Sequence, residues 1–292
     1  MILPEMDDAR AYRAIPSDPD AVEEDDTSRC RWGPNPRHLV ATLSLLVVEW
    51  LLICWVVHLG EAPRYYLIFA SMYAFAMGVV ILVNRSNPGF VPKDTDLELY
   101  RREALPATTV ELNHTRFVQR WCVSCRMYKR PRVKHCYECR RCVSRFDHHC
   151  PWMSNCIGAN NYKLFLLFWQ HYLGLQIYSL YFIGQCISAK SADTDVSLLG
   201  AAVRSVASEH PLLVCILVVT CIRLLLAGCV FAAHGYLVCR NMTHYEYRSQ
   251  PYKGNNPFDL GRCGLHRENV AIGLYQNLRA FVLLPWIDFS RD

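Results

Sequence analysis

Residues 122–156 read CVSCRMYKRPRVKHCYECRRCVSRFDHHCPWMSNC, and the ligand-type side chains in that stretch decide the fold. Its spacing is C-x2-C-x9-H-C-x2-C-x2-C-x4-D-H-H-C-x5-C, set by Cys122, Cys125, His135, Cys136, Cys139, Cys142, Asp147, His148, His149, Cys150 and Cys156. C-x-x-C pairs with histidines in one short polar segment are what two tetrahedral zinc sites need. Two closed sites take eight ligands, and the stretch offers seven cysteines and three histidines. One Cys and at least one His are therefore spare, and Asp147-His148-His149-Cys150 crowds a carboxylate, imidazoles and a thiol together. A thiol beside an imidazole is the basic unit of cysteine nucleophilic catalysis.

The same string, with the Pro151-Trp152 that follows it and with Asn161 and Phe165, resembles the DHHC cysteine-rich domain of the integral-membrane protein S-acyltransferases (palmitoyltransferases). The resemblance implies one zinc on Cys122, Cys125, His135 and Cys142, and a second on Cys136, Cys139, His149 and Cys156. Both zincs would be structural, with closed shells, because so polar a segment cannot bury a sizeable core and needs metal bonds to fold. That allocation leaves Cys150 as nucleophile, His148 as its base and Asp147 to orient the imidazole. His149 cannot act as base if a ring nitrogen is on zinc. An adjacent imidazole held by a carboxylate provides the means to make a thiolate from a thiol whose reference pKa is about 8.5.

Outward from the motif, the composition is that of a polytopic membrane protein. Hydrophobic residues make up 52% of the 292 and charged ones 20%, and the apolar residues are clumped in long runs. The 15 cysteines would suit a disulfide-rich secreted chain, but Met1 to Asp26 is acidic and lacks an apolar core, so reduced thiols facing the cytosol are expected. Cys54, Cys186, Cys215, Cys221 and Cys229 read as small apolar filler within helices, and Cys30, Cys239 and Cys263 carry no assigned role.

The expected architecture is an all-α polytopic membrane protein, four transmembrane helices with a cytosolic cysteine-rich double-zinc domain between the second and third. Residues 1–37 form an acidic, disordered cytosolic tail, and residues 38–84 the first two spans, His38 to Leu59 and Tyr65 to Val83. Residues 85–161 hold the zinc domain. Residues 162–233 hold the third and fourth spans, about Tyr162 to Ile187 and Leu212 to Ala233, around a short lumenal linker at 188–210. Residues 234–292 form a cytosolic C-terminal region. Between Arg85 and Asn161 the basic residues are dense, whereas both short opposite loops are poor in them, which places the zinc domain and both termini in the cytosol. The sequons at Asn84, Asn113 and Asn241 would then be silent. Glu49 and Arg223 fall about midway through the first and fourth spans, and an ion pair between them would lock those helices together; the competing idea gives each a separate polar cavity.

Phe165 to Trp169 begin the third span about four helical turns' worth of chain after Cys150, so the thiol belongs at the cytosolic membrane surface. There it can meet fatty acyl-CoA with its tail in the bilayer and pass the acyl group, by a ping-pong scheme, to a cysteine of a membrane-associated substrate protein. Lys129, Arg130, Arg132 and Lys134, with Arg140, Arg141 and Arg145, could hold CoA phosphates or anionic head groups, or merely follow the positive-inside bias. Trp152 could pack on the thioester or anchor at the interface. Nucleic acid is not an expected partner, since no reading helix is evident.

The resemblance also covers Asn87-Pro88-Gly89, where the family has Asp-Pro-Gly, and Thr243-His244-Tyr245-Glu246, where it has Thr-Thr-x-Glu. Further on it takes in Asn256 to Gly261, Asn269 and Phe281 to Pro285. It implies a palmitoyltransferase of the endomembrane system, in the Golgi or ER, with an accessory subunit left open. Two other readings are a catalytically silent scaffold or accessory subunit that uses the zinc module to bind proteins, and a transporter. The intact Asp147-His148-Cys150 set argues against the scaffold.

Overall fold

The computed structural model describes residues 34–92, 107–112, 115–191, 206–251, 256–259 and 270–283. Outside these lie the acidic tail to residue 33, the linker from 192 to 205, the sequon at Asn113, and Leu260, Gly261, Asn269, Leu284 and Pro285 of the C-terminal motif. Four long helices carry the apolar runs: α1 (Pro36–Leu59), α2 (Tyr65–Arg85), α3 (Tyr162–Ser191) and α4 (Pro211–Cys239). Two shorter ones follow, α5 (His244–Ser249) and α6 (Val270–Val282). Helix α1 starts where Asn35 accepts the Arg37 N–H on its side chain and Pro36 supplies a first-turn φ without wasting a donor. Helix α5 opens with a capping box in which the Thr243 hydroxyl and the Glu246 carboxylate satisfy each other's backbone N–H groups.

By length and composition, α1, α2 and α4 are able to cross a membrane. Helix α3 is long enough at 30 residues, but it is not among the apolar set. The reason is its polar content, with Gln170, His171, Gln176 and Gln185 along its length. It packs along both α2 and α4. Val40, Leu45, Leu51, Leu67, Val218, Leu225 and Leu226 face outward from the bundle, as a lipid solvent permits.

The expectation of an all-α chain needs correction between α2 and α3. There the described residues form four separate two-stranded antiparallel hairpins: β1 (Thr108–Leu112) with β2 (Thr115–Gln119), β3 (Trp121–Cys122) with β4 (Met127–Tyr128), β5 (Lys134–Cys136) with β6 (Arg141–Val143), and β7 (His148–Cys150) with β8 (Asn155–Ile157). In β3–β4 and β5–β6 a C-x-x-C pair, Cys122/Cys125 or Cys136/Cys139, sits where the chain bends back.

The loop between β7 and β8 fastens the hairpins to α1 and α2. Asn155 Nδ2 donates to the carbonyls of Val83 at 2.8 Å, Ser86 at 2.9 Å and Asn84 at 3.2 Å, at the end of α2. Asn84 Nδ2 returns a bond to Met153 O at 2.9 Å. From α1, Thr42 Oγ1 donates to Trp152 O at 2.8 Å, and Asn35 and Ser154 exchange two bonds, of 3.0 and 2.7 Å. Gly158 is required where the loop meets α2's exit, because a Cβ there would lie 2.5 Å from Pro88 O and 2.7 Å from Val143. Gly89, at φ +104°, closes the Pro-Gly bend, with Asn87 Oδ1 accepting the N–H groups of Gly89 and Phe90 at 2.9 and 2.8 Å. An amide oxygen therefore does at Asn87 what a carboxylate would do in that turn.

Candidate active site and metal centres

Cross-strand register builds two Cys/His clusters. His135 stands opposite Cys142 in the β5–β6 hairpin, and His149 opposite Cys156 in the β7–β8 hairpin. The first cluster adds Cys122 and Cys125 from the β3–β4 knuckle, and the second adds Cys136 and Cys139 from the tip of β5–β6. Within each cluster the candidate ligand atoms all lie within 4.8 Å of one another. His135 Nδ1 is 3.5, 3.3 and 3.8 Å from the sulfurs of Cys122, Cys125 and Cys142. His149 Nδ1 is 3.6, 3.5 and 3.7 Å from those of Cys136, Cys139 and Cys156. A tetrahedral ion bound at about 2.3 Å to sulfur and about 2.0 Å to nitrogen sets sulfur–nitrogen edges near ~3.6 Å, so both quartets fit a metal of that kind. Crowding splits the thiols of each cluster: neighbouring thiols hold Cys122 (through Cys125 and Cys142) and Cys136 (through Cys139 and Cys156) well below the usual thiol range, and push Cys142, Cys139 and Cys156 above it.

Strand β7 sorts the spare residues from the ligands. Alternate side chains of a strand leave opposite faces, so with His149 turned into the second cluster, His148 and Cys150 share the other face. Cys150 is buried and joins the apolar cluster made by the long helices, which includes Leu39, Phe165 and Phe168. Cys156, by contrast, packs with Cys136 and Val143 within the module. Asp147 is 2% exposed. Its Oδ2 lies 2.8 Å from His148 Nδ1, and its Oδ1 accepts the His244 N–H at 2.7 Å. Burial alone would raise the Asp147 carboxyl, but its bond to His148 and the charges around it bring it below the ordinary value. Burial likewise pushes the His148 imidazole down, and the bonds to Asp147 and Cys150 reverse this and hold it at about 9. With Nδ1 committed to Asp147, Nε2 is the nitrogen left for the thiol.

The basic residues divide. Arg132 is engaged by a fork on Glu246, with Nε and Nη2 each 2.8 Å from a carboxylate oxygen, and by Asn241. Lys134 Nζ donates to the Tyr245 hydroxyl at 2.8 Å. Both therefore tie the module to the segment after α4 rather than standing open to a ligand. Arg130 is exposed and Lys129 half-buried. Trp152 is 58% exposed, so its indole reaches outward while its carbonyl is held by Thr42.

Several residues around the site were not legible as site residues. Tyr162 Oη and His234 Nδ1 are 3.0 Å apart, and the rings of Phe165, His234 and His244 lie 5.2, 6.1 and 6.0 Å from that of His148. His234 had one available signal, an ionisable side chain in a long apolar run. The bond from His244 to Asp147 is through its backbone, which no side-chain pattern reveals.

Residues 116–251 match the family model described as DHHC palmitoyltransferase. A second model, described as Apicomplexa microprotein, matches residues 1–70. Among curated proteins, Probable protein S-acyltransferase 6 of Arabidopsis thaliana is 28% identical over 79% of this chain and 60% of its own length. Protein S-acyltransferase 8 of the same plant is 32% identical over 76% of this chain and 60% of its own. Palmitoyltransferase ZDHHC5 of Mus musculus is 33% identical over 70% of this chain and 28% of its own. The chain thus spans three-fifths of the two plant relatives and little more than a quarter of the mouse one.

Proposed function

We propose, from the match of residues 116–251 to the family model described as DHHC palmitoyltransferase, that the chain is a protein S-acyltransferase that moves a long-chain acyl group from acyl-CoA to protein cysteines. Cys150 is the nucleophile, His148 its base and Asp147 the group that orients the base. The observation carrying this reading is the shared face of Cys150 and His148 on β7, with Asp147 on the far nitrogen of the imidazole. His148 Nε2 takes the Cys150 proton, and the thiolate attacks the thioester carbonyl. As the tetrahedral adduct collapses, the C–S bond to CoA breaks and the departing CoA thiolate takes the proton back from His148. The acyl group then sits on Cys150. An acceptor protein thiol gives its proton to His148, attacks the acyl-Cys150 carbonyl, and Cys150 leaves to recover the proton. Both bonds exchanged are thioesters, so each step is close to thermoneutral and the protein's work is activation and positioning.

Cys122, Cys125, His135 and Cys142 would hold one zinc, and Cys136, Cys139, His149 and Cys156 another. All donors in each quartet are spent on the ion, which supplies cross-linking of the hairpins and no open position for substrate. Because His149 and Cys156 flank Cys150 in sequence, the second site also stiffens the strand that carries the thiol. Lys129, Arg130 and the outward Trp152 are the groups we assign to the acyl-CoA head and the adjoining interface.

Helix α3 is read as the third of four spans because it runs between two membrane-capable helices, and its polar side chains face them in part: Gln176 and Ser179 are buried. The basic module faces the cytosol, in an endomembrane such as Golgi or ER, where acyl-CoA and membrane-associated acceptor proteins meet. The purified full chain, incubated with clickable palmitoyl-CoA, should acquire a hydroxylamine-sensitive label that Cys150→Ser abolishes. A wild-type chain that takes no label overturns the enzyme reading in favour of a protein-binding scaffold.

A further inference from the structure

His148 is restrained at one nitrogen by Asp147, yet a single hydrogen bond leaves an imidazole free to tilt about it. A general base loses its advantage when the accepting nitrogen swings away from the thiol. Three rings close around His148 and remove that freedom: Phe165 edge-on at 5.2 Å, His244 at 6.0 Å and His234 at 6.1 Å. Of these, His234 is the one with its own anchor. It lies near the end of α4, is 7% exposed, and meets Phe165 edge-on at 5.1 Å. Its Nδ1 pairs with the Tyr162 hydroxyl at 3.0 Å.

Tyr162 is itself placed with little slack. It is the first residue of α3 and 5% exposed, and Asn161 before it spans from Gly158 N to Cys156 O and Ser86 Oγ. Thus the chain that leaves the second Cys/His cluster through β8 turns directly into the residue that holds His234, and His234 faces back toward His148. The loop runs from β7 through β8 to α3, across to α4, and returns to β7.

We propose that His234 is a positioning residue for the acyl transfer, tied by Tyr162 so that its ring keeps the His148 imidazole in the plane where Nε2 meets Cys150. The inference rests on the reading of Cys150 as nucleophile and His148 as base. With its Nδ1 paired to Tyr162, His234 is assigned a role through His148 and not as a second base. Plain packing would ask only for a flat ring of that size, which phenylalanine also offers. The Tyr162 bond is what phenylalanine lacks.

The test is single-turnover acylation of Cys150 by palmitoyl-CoA in the full-length chain, followed with the KM for palmitoyl-CoA and the bound zinc. His234→Ala and Tyr162→Phe should each slow acylation by about ten- to a hundredfold, with KM within about twofold and zinc unchanged. The double variant should be no slower than the slower single one, because both break the same bond. His234→Asn puts an amide near the Nδ1 position and restores the Tyr162 bond without the ring, so it should recover only part of the rate, whereas His234→Phe, which restores the ring without the bond, should stay slow. Wild-type rates in His234→Ala, full recovery in His234→Phe, or additive losses in the double variant each overturn the inference while leaving the acyltransferase reading intact. A wild-type chain that is never acylated removes both.

Discussion

Arg223 Nε stands 3.4 Å from Glu49 Oε1, joining α4 to α1 within the apolar part of the bundle. Tyr172 of α3 completes the contact by donating its hydroxyl toward both carboxylate oxygens, at 2.9 and 3.1 Å. Three helices therefore share one buried carboxylate. Removing one partner of such a pair strands the other charge in a medium that cannot solvate it, which costs several kcal/mol in the worst case. Arg223 keeps a quarter of its side chain exposed, so the cost here should be lower, about 1–3 kcal/mol for Glu49→Gln or Arg223→Gln. The double variant should cost clearly less than the summed singles, and Tyr172→Phe about 0.5–1.5 kcal/mol. Unfolding in detergent, run as a double-mutant cycle, measures the coupling. Independent losses would mean that the two charges face separate polar cavities.

Cluster chemistry gives a sharper test, because the same residue type should behave in opposite ways at neighbouring positions. Cys150 shares its strand with His149 but not its face, so Cys150→Ser should keep the full metal content of the wild-type chain. Cys122→Ser and Cys136→Ser each remove one donor from a different quartet and should each lower bound zinc, as read by elemental analysis of the purified protein. Stripping the metal with a chelator should abolish acylation of Cys150 together with the fold of the hairpins. Retained zinc in Cys136→Ser, or lost zinc in Cys150→Ser, would contradict the division of labour.

What the sequence made legible was local. Ligand spacing in the Cys122–Cys156 stretch marks two metal-type clusters because each ligand pair is separated by a fixed short loop. The apolar runs mark the helices because lipid demands them. Three things were hidden. The hairpins inside the module are too short for a period-2 pattern. Polar residues on α3, such as Gln176 at 1% exposure, lower its hydropathy although they face the bundle. The third is the loop that bolts module to helices, which works through side-chain amides reaching carbonyls some seventy residues away, as Asn155 does to Val83 and Ser86. Asn84 shows how misleading a local motif can be: its side chain is fully buried and donates to Met153 O, so its sequon is sterically closed.

The last prediction separates bracing from ligand binding among the basic residues. Arg132 meets Glu246 through two parallel bonds of 2.8 Å and covers the Phe258 ring at 4.2 Å, so its planar fork matters and its charge alone does not suffice. Glu246 is itself spent on the N-terminus of α5, whose first residue, His244, gives its N–H to Asp147. Disturbing Arg132 should therefore reach the site through α5. Arg132→Lys should lower stability by about 1–3 kcal/mol and reduce the acylation rate, with the KM for palmitoyl-CoA little changed. Arg130 is exposed, so Arg130→Ala should raise that KM, more at low salt than at high, and leave stability within about 0.5 kcal/mol. Measuring both constants for both variants distinguishes the roles: a raised KM in Arg132→Lys with unchanged stability would make Arg132 a ligand to the donor after all.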